Sequence, residues 1–186
     1  MKEGQVNQII HRHEYRAYPW EIEQLRLHFT LEDTAVIVRS QMQIQIKQGG
    51  EHTGGLELDG KDLETLELSI DGEVLEKSRF QIKGERMMIN DVPARCVVST
   101  LVRIRPAENT ALEGLYQSGE FLLTQCEAEG FRKITWFPDR PDVMTRFEVT
   151  LEGSRVHYPV LLSNGNAVAE GQDGDRHWVQ IGRAHV

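Results

Sequence analysis

The chain has 186 residues, of which 39% are hydrophobic and 27% are charged, and its 21 Lys and Arg against 29 Asp and Glu give a formal net charge of −8. This size and composition are typical of a single globular domain that is long enough to bury a core. The acidic balance argues against nucleic acid or an anionic membrane as a partner.

Targeting signals and disulfide patterns are absent from the sequence. No apolar run approaches the ~20 residues of a membrane-spanning helix, and the opening MKEGQVNQIIHRHEYR lacks the apolar core of a signal peptide. The two cysteines, Cys96 and Cys126, have no CxxC spacing. These features favour a cytoplasmic protein with two free thiols.

The first half of the chain predicts strands, because apolar and polar residues alternate with a period of two in QLRLHFTLE and again in AVIVRSQMQIQIK. The predicted core positions of these two strands are Leu25, Leu27, Phe29, Leu31, Val36, Val38, Met42, Ile44 and Ile46. After a flexible GGEHTGG connection, LETLELSIDGEVL predicts a strand and a tight hairpin at Asp71-Gly72. The stretch RFQIKGERMMIND predicts a second short hairpin.

The second half adds strands and a few helical signals. ARCVVSTLVRIRP predicts a strand that ends before Pro106, and RFEVTLEG, HYPVLLSNGNAVAEG with its SNGN turn, and RHWVQI predict three more regions of strand. PAENTALEGLYQSG could hold one or two helical turns, and PDRPDVMTRF offers Asp139 as an N-cap with Pro141 early in a helix. The chain is therefore predicted to be mainly β, an antiparallel sandwich or saddle-shaped sheet, with one or two short helices, one of them near residue 140.

Polar groups concentrate in the segment EGLYQSGEFLLTQCEAEGFRKITWFPDRPDV. Gln125, Glu127 and Glu129 lie there between an apolar run and a stretch rich in Arg, Lys and Trp. In a chain that otherwise consists of plain alternating strands, such a concentration indicates either a binding site or a well-solvated turn.

This segment carries a family resemblance. NTALEGLYQSGEFLLTQCEAEGFRKITWFPDRPDVMTRF, followed by YPVLLSNGN and RHWVQ, resembles the N-terminal domain of the bacterial aminopeptidase N family, zinc-dependent aminopeptidases with an HExxH catalytic domain. HEYRAYPW and LELDGKDLETLELSIDG continue the resemblance more weakly upstream. The resemblance implies that residues 1–180 form the N-terminal β domain of an enzyme that removes N-terminal amino acids from peptides.

The resemblance also implies roles for the QxE motif. Glu127 would take the free α-ammonium group of the substrate, and Gln125 would line the pocket for its first side chain. A carboxylate in a closed cavity accepts charge-assisted hydrogen bonds from an ammonium group, whereas a blocked N-terminus offers no such donors. Without the resemblance, a solvated turn carboxylate is the simpler interpretation of Glu127, and Gln125 could be a polar residue at a strand end. Glu129 is expected to be an ordinary loop residue.

The zinc site of the family is missing from this sequence. HExxH places two histidine ligands one turn apart on a helix, with the intervening glutamate as general base, and neither HExxH nor Gly-x-Met-Glu-Asn occurs here. We therefore expect the zinc to be bound by a catalytic domain outside this chain, and the chain alone to contain no metal or catalytic residue and to be inactive. Residues 181–186, IGRAHV, depart from the family, which predicts either an excised domain with a foreign or altered tail or a natural protein that retains this domain alone.

Two weaker chemical hypotheses concern histidine and cysteine. His11 and His13 would point to one side of a strand with Glu14 nearby, an arrangement that could bind a metal, although a polar segment near the terminus is the simpler interpretation. Cys126 beside Glu127 suggests a nucleophile, but no histidine is close in sequence and buried free cysteines are common.

Other residues of the segment predict contacts within the domain or with a neighbouring one. Arg140 and Asp142 are expected to fix the short helix near residue 140. Trp136, Phe137 and Phe131 are expected to be core or domain-interface anchors. We also expect an exposed apolar patch around the QxE stretch and Trp136, where a catalytic domain would cover it.

Two classes of function remain open from the sequence. In the first, the chain is the substrate-recognition domain of a zinc aminopeptidase, and its partners are peptides with a free N-terminus and the catalytic domain of the same polypeptide. In the second, it is a freestanding, non-catalytic β-sandwich binding module, since fold alone does not determine function. The intact QxE motif favours the first.

Overall fold

The computed structural model describes residues 12–49 and 54–182, and this part of the chain is built almost entirely from strands. The strands are β1 (Trp20–Leu31), β2 (Val36–Ile46), β3 (Leu56–Asp59), β4 (Glu64–Ile70), β5 (Glu73–Val74), β6 (Phe80–Lys83), β7 (Arg86–Ile89), β8 (Arg95–Ile104), β9 (Gly114–Ser118), β10 (Phe121–Gln125), β11 (Arg146–Ser154), β12 (Asn166–Asp173) and β13 (Arg176–Gly182). Short 3₁₀ helices lie at Arg12–Glu14, Lys77–Arg79, Pro106–Glu108 and Phe131–Lys133.

Eight of these strands form one large sheet in the order β12-β13-β11-β1-β2-β8-β4-β5. Neighbouring strands run antiparallel except for β1 and β11, which are parallel. Because β8 and β11 lie on opposite sides of the β1–β2 pair, residues 105–145 must cross the sheet between them. This crossing segment carries the β9–β10 hairpin and the QxE motif.

A small sheet of β3, β7 and β6 packs against the large one and closes a two-layer sandwich. The shared core contains the fully buried residues Leu25, Val38, Met42, Leu56, Leu58, Met87, Ile89, Val98 and Val102. Polar side chains also join the layers, since the Trp20 indole N–H donates to the carbonyl of Gly55 over 3.0 Å. The predicted mainly β sandwich is confirmed.

The strand pattern of the sequence is confirmed in the first half of the chain. The inward positions predicted for β1 and β2 are buried, apart from Ile46, which is partly buried. The hairpin between β4 and β5 turns at Asp71 and Gly72, which both have positive φ values, 50° and 84°. This is the backbone that a two-residue hairpin turn requires. The β6–β7 hairpin is also present.

The helix predicted near residue 140 is wrong. Residues 138–145 contain no helix and only one turn, at 141–142, and the Arg140 N–H donates to the carbonyl of Pro138 and the Val143 N–H to that of Arg140. The carboxylate of Asp139, the predicted N-cap, accepts instead from the N–H of Arg132, which precedes it in the chain. The Asp139 carboxylate is therefore not available to cap a helix, because it binds the N–H of Arg132 instead.

The strand predicted in HYPVLL is also wrong, because residues 157–164 contain no strand and β12 begins only at Asn166. A turn after β11 holds this stretch, in which the Tyr158 N–H donates to the carbonyl of Ser154 over 2.8 Å. Pro159 follows and has no N–H to offer a neighbouring strand. The short helical turn predicted after β8 is present at Pro106–Glu108.

The last strand extends past the predicted end of the domain. β13 runs to Gly182, and Ile181 is buried in the sheet. The first two residues of the 181–186 segment thus belong to β13, and residues 183–186 lie outside the described residues. In the described part of the chain, no helix has the length and apolarity needed to cross a bilayer.

Candidate functional site

The QxE motif lies at the base of the β9–β10 hairpin. Gln125 is the last residue of β10 and pairs with Gly114, the first residue of β9. A tight turn follows over residues 126–130, which we call the QxE loop, and it is closed by a hydrogen bond of 2.9 Å from the Gly130 N–H to the Cys126 carbonyl. The peptide bond between Glu127 and Ala128 is cis.

Two glycines allow the loop to pack directly on the start of β9. A Cβ atom at Gly130 would lie 2.6 Å from the carbonyl oxygen of Gln125 and 3.0 Å from the nitrogen of Gly114. Gly114 itself has a φ of 69°, and a Cβ there would lie 2.6 Å from the Cβ of Lys133. The two backbones are thus in contact at a distance that only glycine permits.

Glu127 projects from this loop as an exposed side chain. No ion pair or hydrogen bond to its carboxylate is formed by any residue within 12–49 or 54–182. The Gln125 side-chain amide donates to the main-chain carbonyl of Glu127 over 3.1 Å. The loop therefore presents an unpartnered carboxylate, the group that a cationic ligand requires.

Glu129 differs from Glu127 in having a partner. Its carboxylate lies 3.5 Å from the guanidinium group of Arg132, and 69% of its side chain is exposed. Exposed pairs of this kind contribute little to stability. The sequence prediction of an ordinary loop residue agrees with this placement.

A partly buried ion pair holds the segment that follows the loop. The Asp139 carboxylate accepts from the main-chain N–H and the Nε of Arg132, at 3.1 and 3.2 Å. The Asp139 N–H in turn donates to Asp59 of β3 over 3.1 Å. Burial raises the pKa of Asp59, and the nearby Arg132 opposes that rise. Sequence reasoning missed Arg132 and Asp59, since no spacing rule links Asp59 to Asp139, which lies 80 positions further along the chain.

The aromatic residues of the crossing segment are core anchors. Trp136 is only 2% exposed and its indole N–H donates to Thr65 over 2.8 Å. Phe131 packs edge-on against Phe137, with ring centroids 5.0 Å apart. The predicted exposed patch around Trp136 is therefore wrong, because this ring fills the space above Gly60 inside the sandwich.

An exposed apolar surface does occur beside the QxE stretch, on the other side of the hairpin. It borders an open groove of about 600 Å³ between the hairpin and residues 156–162. We call it the hairpin surface, and its exposed members are Phe121, Val156, Val160 and Leu162.

The cysteine and histidine hypotheses gain no support. Cys126 is partly buried, and burial, with a smaller contribution from the carboxylate of Asp139, raises the pKa of its thiol. His13 lies in the 3₁₀ helix Arg12–Glu14 and not in a strand, whereas His11 is outside the described residues. Across residues 12–49 and 54–182, no three His, Cys, Asp or Glu side chains are grouped so that they could hold a metal ion.

Arg140 and Asp142 fix the N-terminal segment, and there is no helix for them to hold. Arg140 pairs with Asp142 over 2.8 Å, and the Asp142 carboxylate also accepts from the Tyr18 N–H at 2.9 Å and the Tyr15 hydroxyl at 2.8 Å. Burial raises the pKa of Asp142, but the hydrogen bonds from Arg140, Tyr18 and Tyr15 lower it more, so that it lies well below its usual range.

The Peptidase M1 N-terminal domain family matches this chain over residues 15–181. The chain belongs to this family. Among the relatives of this M1 N-terminal domain, the aminopeptidase N of Caulobacter vibrioides is 42% identical over 93% of the chain, and that of Escherichia coli is 41% identical over 95%. The match covers 20% of each relative, so the chain spans about a fifth of their length.

Solved structures show the same fold. Aminopeptidase A of Legionella pneumophila, in complex with aspartic acid, superposes with a TM-score of 0.84 at 24% identity and covers 91% of this chain and 20% of its own. An M1 zinc metallopeptidase of Deinococcus radiodurans, bound to a Tyr-Ser-Ala substrate, gives a TM-score of 0.73 at 11% identity, covering 88% and 39%. The family match and the two aminopeptidase N relatives confirm the family predicted from the QxE segment.

Proposed function

We propose that this chain is the N-terminal domain of a zinc-dependent aminopeptidase, in which Glu127 binds the free α-ammonium group of the peptide substrate. The observation that carries the proposal is the exposed, unpartnered carboxylate of Glu127 on a loop fixed by glycine packing. The relatives that this chain matches are aminopeptidases, which supports the assignment of the longer protein.

The loop geometry suits recognition of a chain end. An ammonium group donates charge-assisted hydrogen bonds to a carboxylate, and these are stronger than neutral ones. Because the loop is already packed against β9, little reorganisation is needed when the substrate binds. Gln125, at the end of β10, is proposed to line the pocket for the first side chain of the substrate while its amide steadies the Glu127 carbonyl.

The zinc belongs to the part of the longer protein outside this chain. The described residues offer no grouping that fits a metal ion, so no step of water activation is assigned to this domain, and the chain alone is proposed to be inactive. The hairpin surface is proposed to be covered by the catalytic domain of the same polypeptide. Both cysteines are free, which supports a reducing, cytoplasmic location.

Mutation of the loop carboxylates tests the proposal in a polypeptide that carries this domain together with the rest of the enzyme. Removing one partner of a buried charge pair costs on the order of 2–5 kcal/mol, so Glu127→Ala should lower kcat/KM on an unblocked substrate roughly 30- to 5,000-fold at 1.4 kcal/mol per tenfold. Part of the loss should appear in kcat, because the bond also positions the scissile carbonyl. Zinc content should not change.

Two variants serve as controls. Glu127→Gln should be less damaging because it keeps an acceptor and loses only the charge, and Glu129→Ala should have little effect because its carboxylate is exposed and paired with Arg132. If Glu129→Ala is as damaging as Glu127→Ala, or if Glu127→Ala stays within threefold of wild type, the amine site is wrongly assigned.

A further inference from the structure

Glu127 is presented by the tip of the QxE loop, which lies beyond the close packing at Gly130 and makes few contacts of its own. Its residues 127–129 are exposed, and the loop is closed by one main-chain hydrogen bond, from Gly130 to Cys126. A loop held in this way needs an external support if its carboxylate is to keep one direction.

We propose that the Arg132–Asp139 ion pair is this support and acts as the positioning unit for Glu127. The inference rests on the proposed role of Glu127 and adds two residues that neither touch the substrate in that proposal nor belong to the QxE motif. Arg132 and Asp139 act through the loop and are positioning residues.

Arg132 contacts the chain on both sides of itself. Its Nε lies 3.2 Å from the Asp139 carboxylate, its Nη2 donates to the Asp139 carbonyl over 3.0 Å, and the same Nη2 lies 3.5 Å from the carboxylate of Glu129 in the loop. The guanidinium group thus holds residue 132, two positions after the loop, on residue 139, and the exposed contact with Glu129 adds little to this hold. The ammonium group of a lysine at this position would be a single point charge and could not donate in all of these directions at once.

The pair is connected to the rigid core through β3. Asp139 donates its N–H to Asp59, and Asp59 and Phe137 exchange two main-chain hydrogen bonds of 2.9 and 3.1 Å. The carbonyl of Arg132 accepts from the N–H of Lys61 over 2.9 Å. Leu58, next to Asp59 in β3, is fully buried. These hydrogen bonds therefore connect the loop to the core of the sandwich.

The burial of this pair sets it apart from a solvated surface contact. The side chains of Arg132 and Asp139 are 15% and 16% exposed. The pair Arg176–Glu152, which joins β13 to β11 over 2.8 Å, is 34% and 29% exposed and does not contact the loop. It provides a matched control for the loss of a charge pair elsewhere in the domain.

Hydrogen exchange on the 186-residue chain tests the positioning without reference to activity. Arg132→Lys and Asp139→Asn should each raise the exchange rate of the Gly130 amide at least about tenfold, because its bond to Cys126 then opens more often, while the amide of Val38 in β2 should be unchanged. Glu152→Gln should leave the Gly130 amide unchanged. An unaltered exchange rate of the Gly130 amide in both Arg132→Lys and Asp139→Asn, or an equal rise at the Val38 amide, would overturn the inference.

A double-mutant cycle in the longer enzyme tests whether the pair acts through Glu127. Misplacement of a binding group by about 1 Å costs up to about 100-fold in rate, so Arg132→Lys should lower kcat/KM on an unblocked substrate roughly 10- to 100-fold. In the Glu127→Ala background the same change should cost less than about threefold, because the group that it positions is gone.

The outcomes separate this inference from the proposed function. If Glu127→Ala is damaging but Arg132→Lys lowers kcat/KM by the same factor in the Glu127→Ala background as in wild type, the positioning role is refuted and the amine site stands. If Glu127→Ala has no effect, the amine site itself fails. Asp139→Asn, which is isosteric and keeps an acceptor for the Arg132 N–H, replaces Arg132→Lys should the latter fail to fold, and the same cycle then decides the result.

Discussion

Among single residues, Cys126 shows how position decides the chemistry of a side chain next to the proposed site. It is adjacent to Glu127 but partly buried against the core, and burial together with the Asp139 carboxylate raises the pKa of its thiol. At pH 8 the thiol form should therefore predominate. In a Cys96→Ala background, we expect a disulfide reagent to label Cys126 at least ~10-fold more slowly than free cysteine.

The measurement is the pseudo-first-order labelling rate on the folded chain, compared with that of the urea-unfolded chain under the same reagent concentration. Cys126→Ala should also retain kcat/KM in the longer enzyme. Labelling as fast as that of free cysteine would contradict this prediction, and faster labelling would show an activated thiolate and reopen the nucleophile hypothesis.

From the sequence, a role could be predicted for a residue only where a local motif pointed to it. Gln125 and Glu127 were singled out through a three-residue motif and a family resemblance, and their roles stay predictions. Asp139 was read as a helix cap, because its real contacts, with Arg132 and with Asp59, depend on strands that meet only after folding. That a carboxylate such as Glu127 is unpartnered is a property of its surroundings, which a motif does not contain.

Among the structural elements, the QxE loop depends on the contact between Gly130 and Gly114. A Cβ at Gly130 would meet backbone atoms at 2.6 and 3.0 Å, which cannot move aside as a flexible side chain would. We expect Gly130→Ala to destabilise the chain by about 1–3 kcal/mol through overpacking and to lower kcat/KM in the longer enzyme, because the loop must shift.

Gly119, in the turn between β9 and β10, is the control. Its φ is 60°, but a Cβ there would meet nothing within 4 Å, so Gly119→Ala costs only the conformational preference, about 1 kcal/mol. Urea unfolding and kcat/KM of both variants give the comparison. Equal effects on kcat/KM would show that close packing of the loop is not what the activity requires.

Strands were predictable where one face is buried, since the alternation in β1 and β2 reports the core directly. Two other elements, the helix near residue 140 and the strand in HYPVLL, were predicted wrongly because their local composition did not decide their structure. The residues near 140 have a helix-like beginning but their polar groups bond to other parts of the fold, and HYPVLL has the composition of a strand but is held by a turn from Ser154. Tertiary contacts override the local preference near residue 140, whereas a local turn overrides it in HYPVLL.

Across the whole molecule, the connection between β8 and β11 organises both the core and the site. It crosses the inner face of the large sheet, where Thr135 is buried and bonds to Thr100 over 3.1 Å, and Thr100 bonds in turn to Ser40 over 2.8 Å. The parallel pairing of β1 with β11 follows from this crossing. Alternation within each strand carries no information about strand order, so neither feature was predictable from the periodicity.

The N-terminal segment is attached to the end of the same crossing connection through Asp142, and this attachment should depend on pH. Because the pKa of Asp142 is depressed in the folded chain, the unfolded chain, with an ordinary pKa of about 3.9, binds the proton more tightly. The stabilisation is therefore fully present above about pH 4 and is lost as the pH falls from there toward the depressed folded value. Its size is reduced by partial exposure to solvent.

Asp142→Asn should accordingly be less stable than wild type by about 1–2 kcal/mol at pH 7, and the difference should shrink as the pH is lowered from 5 to 3. The measurement is urea unfolding of both chains at pH 7, 5, 4 and 3. Asp173→Asn, which removes an exposed carboxylate of β12, should show a small difference at every pH. A gap between wild type and Asp142→Asn that stays constant down to pH 3 would mean that the charge of Asp142 does not hold the N-terminal segment, and that its neutral hydrogen bonds suffice.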